Sequence, residues 1–376
     1  MTATGLNREK SGRKRLWGGL LFSINLVFAL LLLASQAVTS ISPAKFWPLE
    51  VLANSYPFLL VFNLLFLIIW ALKKHRFFFL SASIILMGYD KLSQLYQPAM
   101  LVMDVRPPKG AIKVMSYNVR LFDLYNWTGN LKTRSKIFDL LSSENPDILC
   151  LQEYFHSDVG DFQNNEPIKK LLSVNYSSIK YGLTLRKTNH WGIATFSRFP
   201  IINEGTVFFE PEKTNFCLYS DIVFKEDTVR VYNVHLQSNH FKEHDYKFLE
   251  NPDQGNNDEI VKGTKSILQR IRSAVVRRSE QVDELKAHIA ACPYPVLVCG
   301  DFNDPPFSYA YQTLKKDLKD AYTEKGEGFG NTYFGFPIKF RIDFILHSTA
   351  IKTHTFQTKR IKLSDHYPIE SWISLP

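Results

Sequence analysis

Cysteine is scarce in this chain. Only four of 376 residues are Cys, namely Cys150, Cys217, Cys292 and Cys299. None stands in a CxxC pair or at zinc-ligand spacing, which excludes a cysteine-built zinc module. Cys150 and Cys299 sit in apolar, strand-like runs and read as small buried hydrophobes. Spacing alone neither indicates nor excludes a disulfide. There is no internal repeat, so repeat architectures are set aside. Charge is missing from Leu16 to Val38, a stretch long enough to cross a hydrocarbon core of about 30 Å. This run also exceeds the apolar stretch of a cleaved signal peptide, and more apolar segments follow it.

What is present divides the chain in two. Residues 1–103 read as a membrane anchor of two to three transmembrane helices, at about 16–38, 50–72 and 77–96. The second centres on Pro57 to Leu72. The third, Phe77 to Gly88, reaches only about 18 Å as a helix. To span, it must continue to about Tyr96 and carry Asp90 and Lys91. Arg8, Lys10, Arg13, Lys14 and Arg15 precede the first segment, and Lys73, Lys74, His75 and Arg76 follow the second. The loop from Thr39 to Tyr56 has only Lys45 as a cation. The positive-inside rule places the N-terminus and the Lys73–Arg76 loop in the cytoplasm. The expected protein is multi-pass. Its later part is extracytoplasmic if the third segment spans, and cytoplasmic if it does not. The net charge of +9 fits either an anionic partner or topogenic charge at a membrane.

Asp104 to Gly110 reads as a linker, and residues 111–376 as the second domain. From Ala111 the text alternates. Ile112–Asn118, Ile148–Gln152, Trp191–Ser197, Phe216–Phe224, Val229–Leu236, Val296–Cys299, Ile342–Leu346 and Ile369–Ile373 read as strands. Arg134–Ser142 and Gly263–Ala290 have helical spacing. His240–Asn257 reads as a polar inserted loop. Many strands with interspersed helices predict a layered α/β domain.

Short polar motifs adjoin these strands: Ser116-Tyr117-Asn118-Val119-Arg120, Leu151-Gln152-Glu153, Gly192-Ile193-Ala194, Tyr232-Asn233-Val234-His235, Gly300-Asp301-Phe302-Asn303, Arg341-Ile342-Asp343 and Ser364-Asp365-His366. Each polar group is expected to follow a strand, so that one sheet edge collects them. Carboxylates, an imidazole and amides gathered there supply a base, a charge-stabilising donor and metal ligands, the needs of water attack on a phosphate ester.

The ordered set resembles the endonuclease/exonuclease/phosphatase superfamily, over about residues 111–376. The resemblance implies a DNase I-like fold, a two-sheet α/β sandwich with outer helices. It implies a metal-dependent phosphoric ester hydrolase using Mg²⁺, or Mn²⁺ in its place. Glu153 resembles the metal-binding glutamate, Asn118 the amide that helps hold the metal, and Asp365 a second acidic group near it. Asp301 resembles the residue that orients or deprotonates water, and Asn303 the amide that holds phosphate or nucleophile. His366 resembles the histidine that donates to a non-bridging phosphate oxygen, with Asp343 as its carboxylate partner. His235 stands where the family places His or Tyr, to donate to phosphate or assist the leaving group. Asn233, two residues earlier, shares its strand face.

The aromatics Phe329, Phe334, Phe336 and Phe340 could stack on a base, enter lipid or pack a core. No DNA-gripping insertion matches. The implied substrate is a phosphodiester, either nucleic acid or a phospholipid headgroup, and no protein partner is indicated. The alternative from another class is a membrane-tethered, non-catalytic scaffold on the same fold, which predicts no turnover.

Overall fold

A computed structural model of the chain describes residues 3–98, 107–209, 215–239, 241, 245, 257–335 and 339–375. Residues 104–106 of the expected linker, nearly all of the 240–257 loop and Phe336 lie outside the described residues.

The second part is a two-sheet α/β sandwich with outer helices, as the sequence predicts. One sheet has the order β11 (Lys352–Thr358), β12 (Ile369–Ser374), β1 (Ile112–Asn118), β2 (Ile148–Ser157), β4 (Asn189–Ser197), β3 (Tyr176–Leu185), and the other β5 (Ile201–Phe208), β6 (Phe216–Phe224), β7 (Asp227–His235), β8 (Val296–Asp301), β10 (Asp343–His347), β9 (Lys319–Asp320). In the first, β1 (Ile112–Asn118) runs parallel to β2 (Ile148–Ser157). In the second, β7 (Asp227–His235) runs parallel to β8 (Val296–Asp301). All other pairings are antiparallel. Strands buried on both faces carry continuous apolar text, as Val296–Cys299 does.

The layers follow from where each face is buried. Val114, Cys150, Val231, Cys299 and Ile345 meet between the sheets. Outside the first sheet, Tyr117, Leu151 and Phe196 pack with Ile137 and Leu141 of helix Thr133–Glu144. Outside the second, Val298, Phe302 and Phe344 pack with Val282 and Leu285 of helix Asn257–Ala290. The four unforeseen strands are β3 (Tyr176–Leu185), β5 (Ile201–Phe208), β11 (Lys352–Thr358) and the two-residue β9 (Lys319–Asp320). All four lie at sheet edges, where one-sided exposure blurs the alternation that marks a strand.

The N-terminal part departs from three continuous spans. Helix Ala3–Ala37 covers the first segment, and its apolar portion is long enough to cross a membrane. The second segment is broken into Pro48–Asn54 and Tyr56–Leu72, bent by 51°. The third is broken at Gly88 into Phe78–Met87 and Tyr89–Leu95. Ten residues of helix rise only about 15 Å, half a hydrocarbon core. The continuation that was to complete this span instead docks on the sandwich. Gln312 donates to Gln94 at 2.6 Å, Arg341 to the Gln94 carbonyl at 3.1 Å and Tyr322 to the Leu95 carbonyl at 3.3 Å. Among the described residues, the expected multi-pass topology therefore reduces to one helix apolar and long enough by itself, plus one bent pair. The case for an extracytoplasmic domain loses its third crossing.

Gly300 is required by close approach. Its φ is +144°, and a Cβ there would lie 2.0 Å from the Val234 carbonyl oxygen on the parallel neighbour. Gly300→Ala is expected to destabilise the fold by about 2–4 kcal/mol, combining overpacking with backbone strain. A lowered urea midpoint for the variant checks it.

Candidate active site

Topology brings the polar motifs to one edge. Asn118, His235 and Asp301 end the parallel strands β1, β7 and β8. Asp343 is the first residue of β10, antiparallel to β8, and lies opposite Asp301 in register. His366 shortly precedes β12 (Ile369–Ser374), antiparallel to β1. Asp343 and His366 thus precede their strands rather than follow them. An antiparallel neighbour presents its beginning where a parallel pair presents its ends.

Glu153 reaches the edge by a different device. Between Leu151 and Tyr154 the β2–β4 register slips by one residue, and Glu153 takes a left-handed φ of +46°. Such a bulge re-aims a side chain that regular alternation would direct elsewhere. Leu151, Gln152 and Tyr154 around it are fully buried, whereas the Glu153 side chain is 35% exposed.

Asn118 links the two sheets. Its amide nitrogen donates to Glu153 Oε1 at 3.1 Å and to Asp301 Oδ2 at 3.0 Å. His235 Nε2 lies 3.8 Å from both carboxylates. The Asn303 backbone N–H donates to Asp301 Oδ1 at 2.8 Å, and its side chain to the Leu236 carbonyl at 3.0 Å. Asn303 holds a left-handed φ of +53°. His366 Nδ1 lies 2.9 Å from Asp343 Oδ2, and its Nε2 3.7 Å from Asp301 Oδ2. All eight residues expected at the site fall on this edge or on the loops beside it. Asn233 does not join them. It is fully buried one layer below, where its side chain accepts from Gln152 at 2.7 Å and donates to the Ala194 carbonyl at 2.9 Å.

Burial sets the electrostatics. Asp301 is 1% exposed, and desolvation pushes its pKa up to about 7, against the opposing pull of His366. Burial works against a charge on His366, but the Asp343 and Asp301 carboxylates outweigh it and raise the imidazole well above its usual range. Glu153 is also raised, first by desolvation and then by Asp365.

Asp301, Asp343 and His366 offer ligand atoms within 4.8 Å of one another. A histidine held charged between two carboxylates has no lone pair to offer, so this group reads as a proton-holding triad. A hard cation suits Glu153 and Asp365 better. They are oxygen donors, the Asp365 carboxylate raises the cost of ionising Glu153, and Glu153 is partly open to solvent.

Several supporting residues had no role assigned from sequence. Thr332 Oγ1 accepts from the backbone N–H groups of Ile342 and Asp343, at 3.0 and 3.1 Å. Ser364 Oγ donates to the Asn118 carbonyl at 2.8 Å and accepts from the His366 N–H at 3.2 Å. The Tyr333 ring lies 4.9 Å from the His366 ring. Arg120 approaches Asp365 at 3.4 Å and covers the Trp127 ring at 4.5 Å. It begins four consecutive left-handed residues, Arg120 to Asp123. Their only sequence signal is position, directly after Asn118.

The sequence profile of the Endonuclease/Exonuclease/phosphatase family matches residues 115–366. A domain of unknown function, DUF8431, matches residues 18–95. No curated protein matches the chain in sequence. Among solved structures, an endonuclease/exonuclease/phosphatase from Beutenbergia cavernae is 16% identical, with 71% of this chain and 72% of that one covered and a TM-score of 0.51. An endonuclease/exonuclease/phosphatase family protein from Bacteroides thetaiotaomicron is 17% identical, with 72% and 96% covered and a TM-score of 0.51. These likenesses establish the fold.

The histidine's charge has a measurable consequence. A folded-state pKa above the unfolded value means stability fully present below the unfolded pKa and lost as pH rises through the folded one. Asp343→Asn should return the His366 pKa toward 6.5, as read by NMR titration of the ring nitrogens. Its stability deficit relative to the native protein should shrink at alkaline pH.

Proposed function

The chain belongs to the endonuclease/exonuclease/phosphatase family, a class of phosphoester hydrolases, and on that premise we propose a membrane-anchored, metal-dependent phosphodiesterase. The observation that carries this reading is the pairing of a buried carboxylate of pKa about 7 with a charged imidazole 3.7 Å away.

Asp301 acts as the base. A pKa near the working pH lets the carboxylate take a proton from water without being too weak a base. As the water oxygen forms its bond to phosphorus, its proton passes to Asp301 Oδ. The bond to the leaving oxygen then breaks on the opposite side. His366, kept charged by Asp343, donates from Nε2 to a non-bridging phosphate oxygen and stabilises the charge that grows there. This preorganised donor is the larger contribution. Asn303 fixes Asp301 through its backbone N–H, and the left-handed turn sets its amide at the loop that would receive phosphate. His235, between Glu153 and Asp301, is suited to donate to phosphate or to the leaving oxygen. Glu153 and Asp365, with the Asn118 amide beside them, would hold Mg²⁺ or Mn²⁺, which when bound neutralises phosphate charge.

The chain is anchored by its apolar N-terminal helices, with residues 16–40 and the bent pair 48–72 as the crossings. The short helix Phe78–Met87 then leaves the sandwich on the same side as the N-terminus, the cytoplasmic side by the charges of Lys73 to Arg76. A fluorescent protein that matures only in the cytoplasm, fused at the C-terminus, should fluoresce; a dark fusion of normal abundance would reverse this orientation.

Purified Asp301→Ala and His366→Ala are expected to lose about 10²–10⁴-fold in kcat on a generic aryl phosphodiester, with unchanged circular dichroism. EDTA should abolish turnover, and Mg²⁺ or Mn²⁺ should restore it. Because Asp301 is active only when ionised, kcat/KM should rise with pH along a limb ending near pH 7. Retained turnover in both variants would rule out this site. No turnover by the folded native protein would favour the scaffold reading.

A further inference from the structure

A groove of about 510 Å³ lies where the N-terminal helices meet the sandwich. Phe58, Val61 and Leu64 of helix Tyr56–Leu72 form one wall with Leu95, and Phe307 and Phe340 belong to the other. The volume is that of an ordinary ligand site, but the lining is almost wholly apolar. Of its polar members, Arg341 bonds Asp320 at 2.7 Å and Gln94 bonds Gln312 at 2.6 Å, and Asn54, Asn331 and Lys339 complete the lining.

The sandwich wall of the groove is also the wall of the active site. Pro305, Pro306 and Phe307 continue the loop that carries Asp301 and Asn303. Phe340 pairs with Tyr333, and Tyr333 pairs in turn with His366. One hairpin therefore presents Phe340 to the groove and sets Tyr333 against the catalytic histidine. The helix wall is continuous with surface suited to lipid. Phe58, Val61 and Leu64 are 49%, 55% and 40% exposed, and they stand on the bent apolar pair. A base would meet mainly apolar side chains here, the surface that a hydrocarbon chain needs.

We propose that this groove receives a hydrocarbon tail of an amphipathic phosphodiester, whose phosphate lies at Asp301 and His366. The inference rests on the phosphodiesterase reading and narrows its substrate to a lipid. The tail then acts as a remote binding element that orients the phosphate.

The test uses the full-length protein in nanodiscs. Phosphodiesters with one headgroup and acyl chains of increasing length are compared with a water-soluble aryl phosphodiester. The expected result is a kcat/KM at least 10-fold higher for long chains than for short ones. Val61→Trp, at an exposed position, fills the groove. It should erase this preference while leaving the soluble diester within twofold. An unchanged chain-length profile in Val61→Trp, or none in the native protein, would overturn the proposal. So would single-stranded nucleic acid as the preferred substrate. No turnover of the soluble diester by the native protein would instead indict the phosphodiesterase reading, and its loss in Val61→Trp alone would indict the fold of the variant. A second measurement then decides the groove by itself. A long-chain phosphodiester with a diazirine at mid-chain should label Phe307 or Phe340 in the native protein and not in Val61→Trp. Labelling confined to the N-terminal helices would mean boundary lipid only and would sink the idea.

Discussion

The side-chain amide of Asn118 holds this site together. It stands at the end of a central strand of one sheet and donates both to Glu153 on the neighbouring strand and to Asp301 on the opposite sheet. Two carboxylates from different sheets are thereby fixed on a single planar group, so the stacking of the sheets and the spacing of the site become one constraint. The buried Gln152–Asn233 contact repeats the arrangement one layer deeper. Buried amides must find partners or impose a cost of about 1–3 kcal/mol each. The register that satisfies them is therefore favoured over its alternatives.

The site concentrates unfavourable features that the sandwich must offset. Glu153 and Asn303 are left-handed, and so are four successive residues from Arg120 to Asp123. A left-handed residue with a Cβ costs roughly 1–2 kcal/mol. The Arg120–Asp123 turn is held from within. Phe122 is 1% exposed and packs edge-on against Tyr154, while Asp123 accepts from the Thr128 N–H at 3.2 Å. The turn lies between Asn118, which organises the carboxylates, and Trp127, which carries the Arg120 side chain. Strain of this kind persists where packing over-determines a local geometry.

The N-terminal helices and the sandwich also form a joined structure. Glu50, in the apolar region, accepts from the Tyr309 N–H at 3.0 Å. Tyr56 stacks on Phe307 with ring centroids 4.7 Å apart. Among the helices themselves, Asn25, Asn63, Ser81 and Trp70 form a buried polar cluster. Hydrogen bonds of this type hold helices together where apolar contact gives no preference between lipid and protein. The N-terminal helices are therefore held against the loops that lead to the Asp301 edge.

The sequence by itself determined the order of the polar motifs and the strands of the core. Val296–Cys299 and Ile148–Gln152 announce central strands because burial on both faces demands unbroken apolar text, and Asp301, Asp343 and His366 stand beside such runs. Lys352–Thr358 and Ile201–Phe208 gave no such signal, because an edge strand needs apolar residues on one face only. Tertiary structure decided the rest. The Glu153 bulge, the antiparallel placement of Asp343 and His366, and the withdrawal of Asn233 into the sheet interface each depend on a partner strand distant in sequence. The fate of Tyr89–Leu95 depends on a docking surface more than two hundred residues downstream. Local pattern records which residues avoid water. Which surface excludes the water is fixed only when the chain has folded.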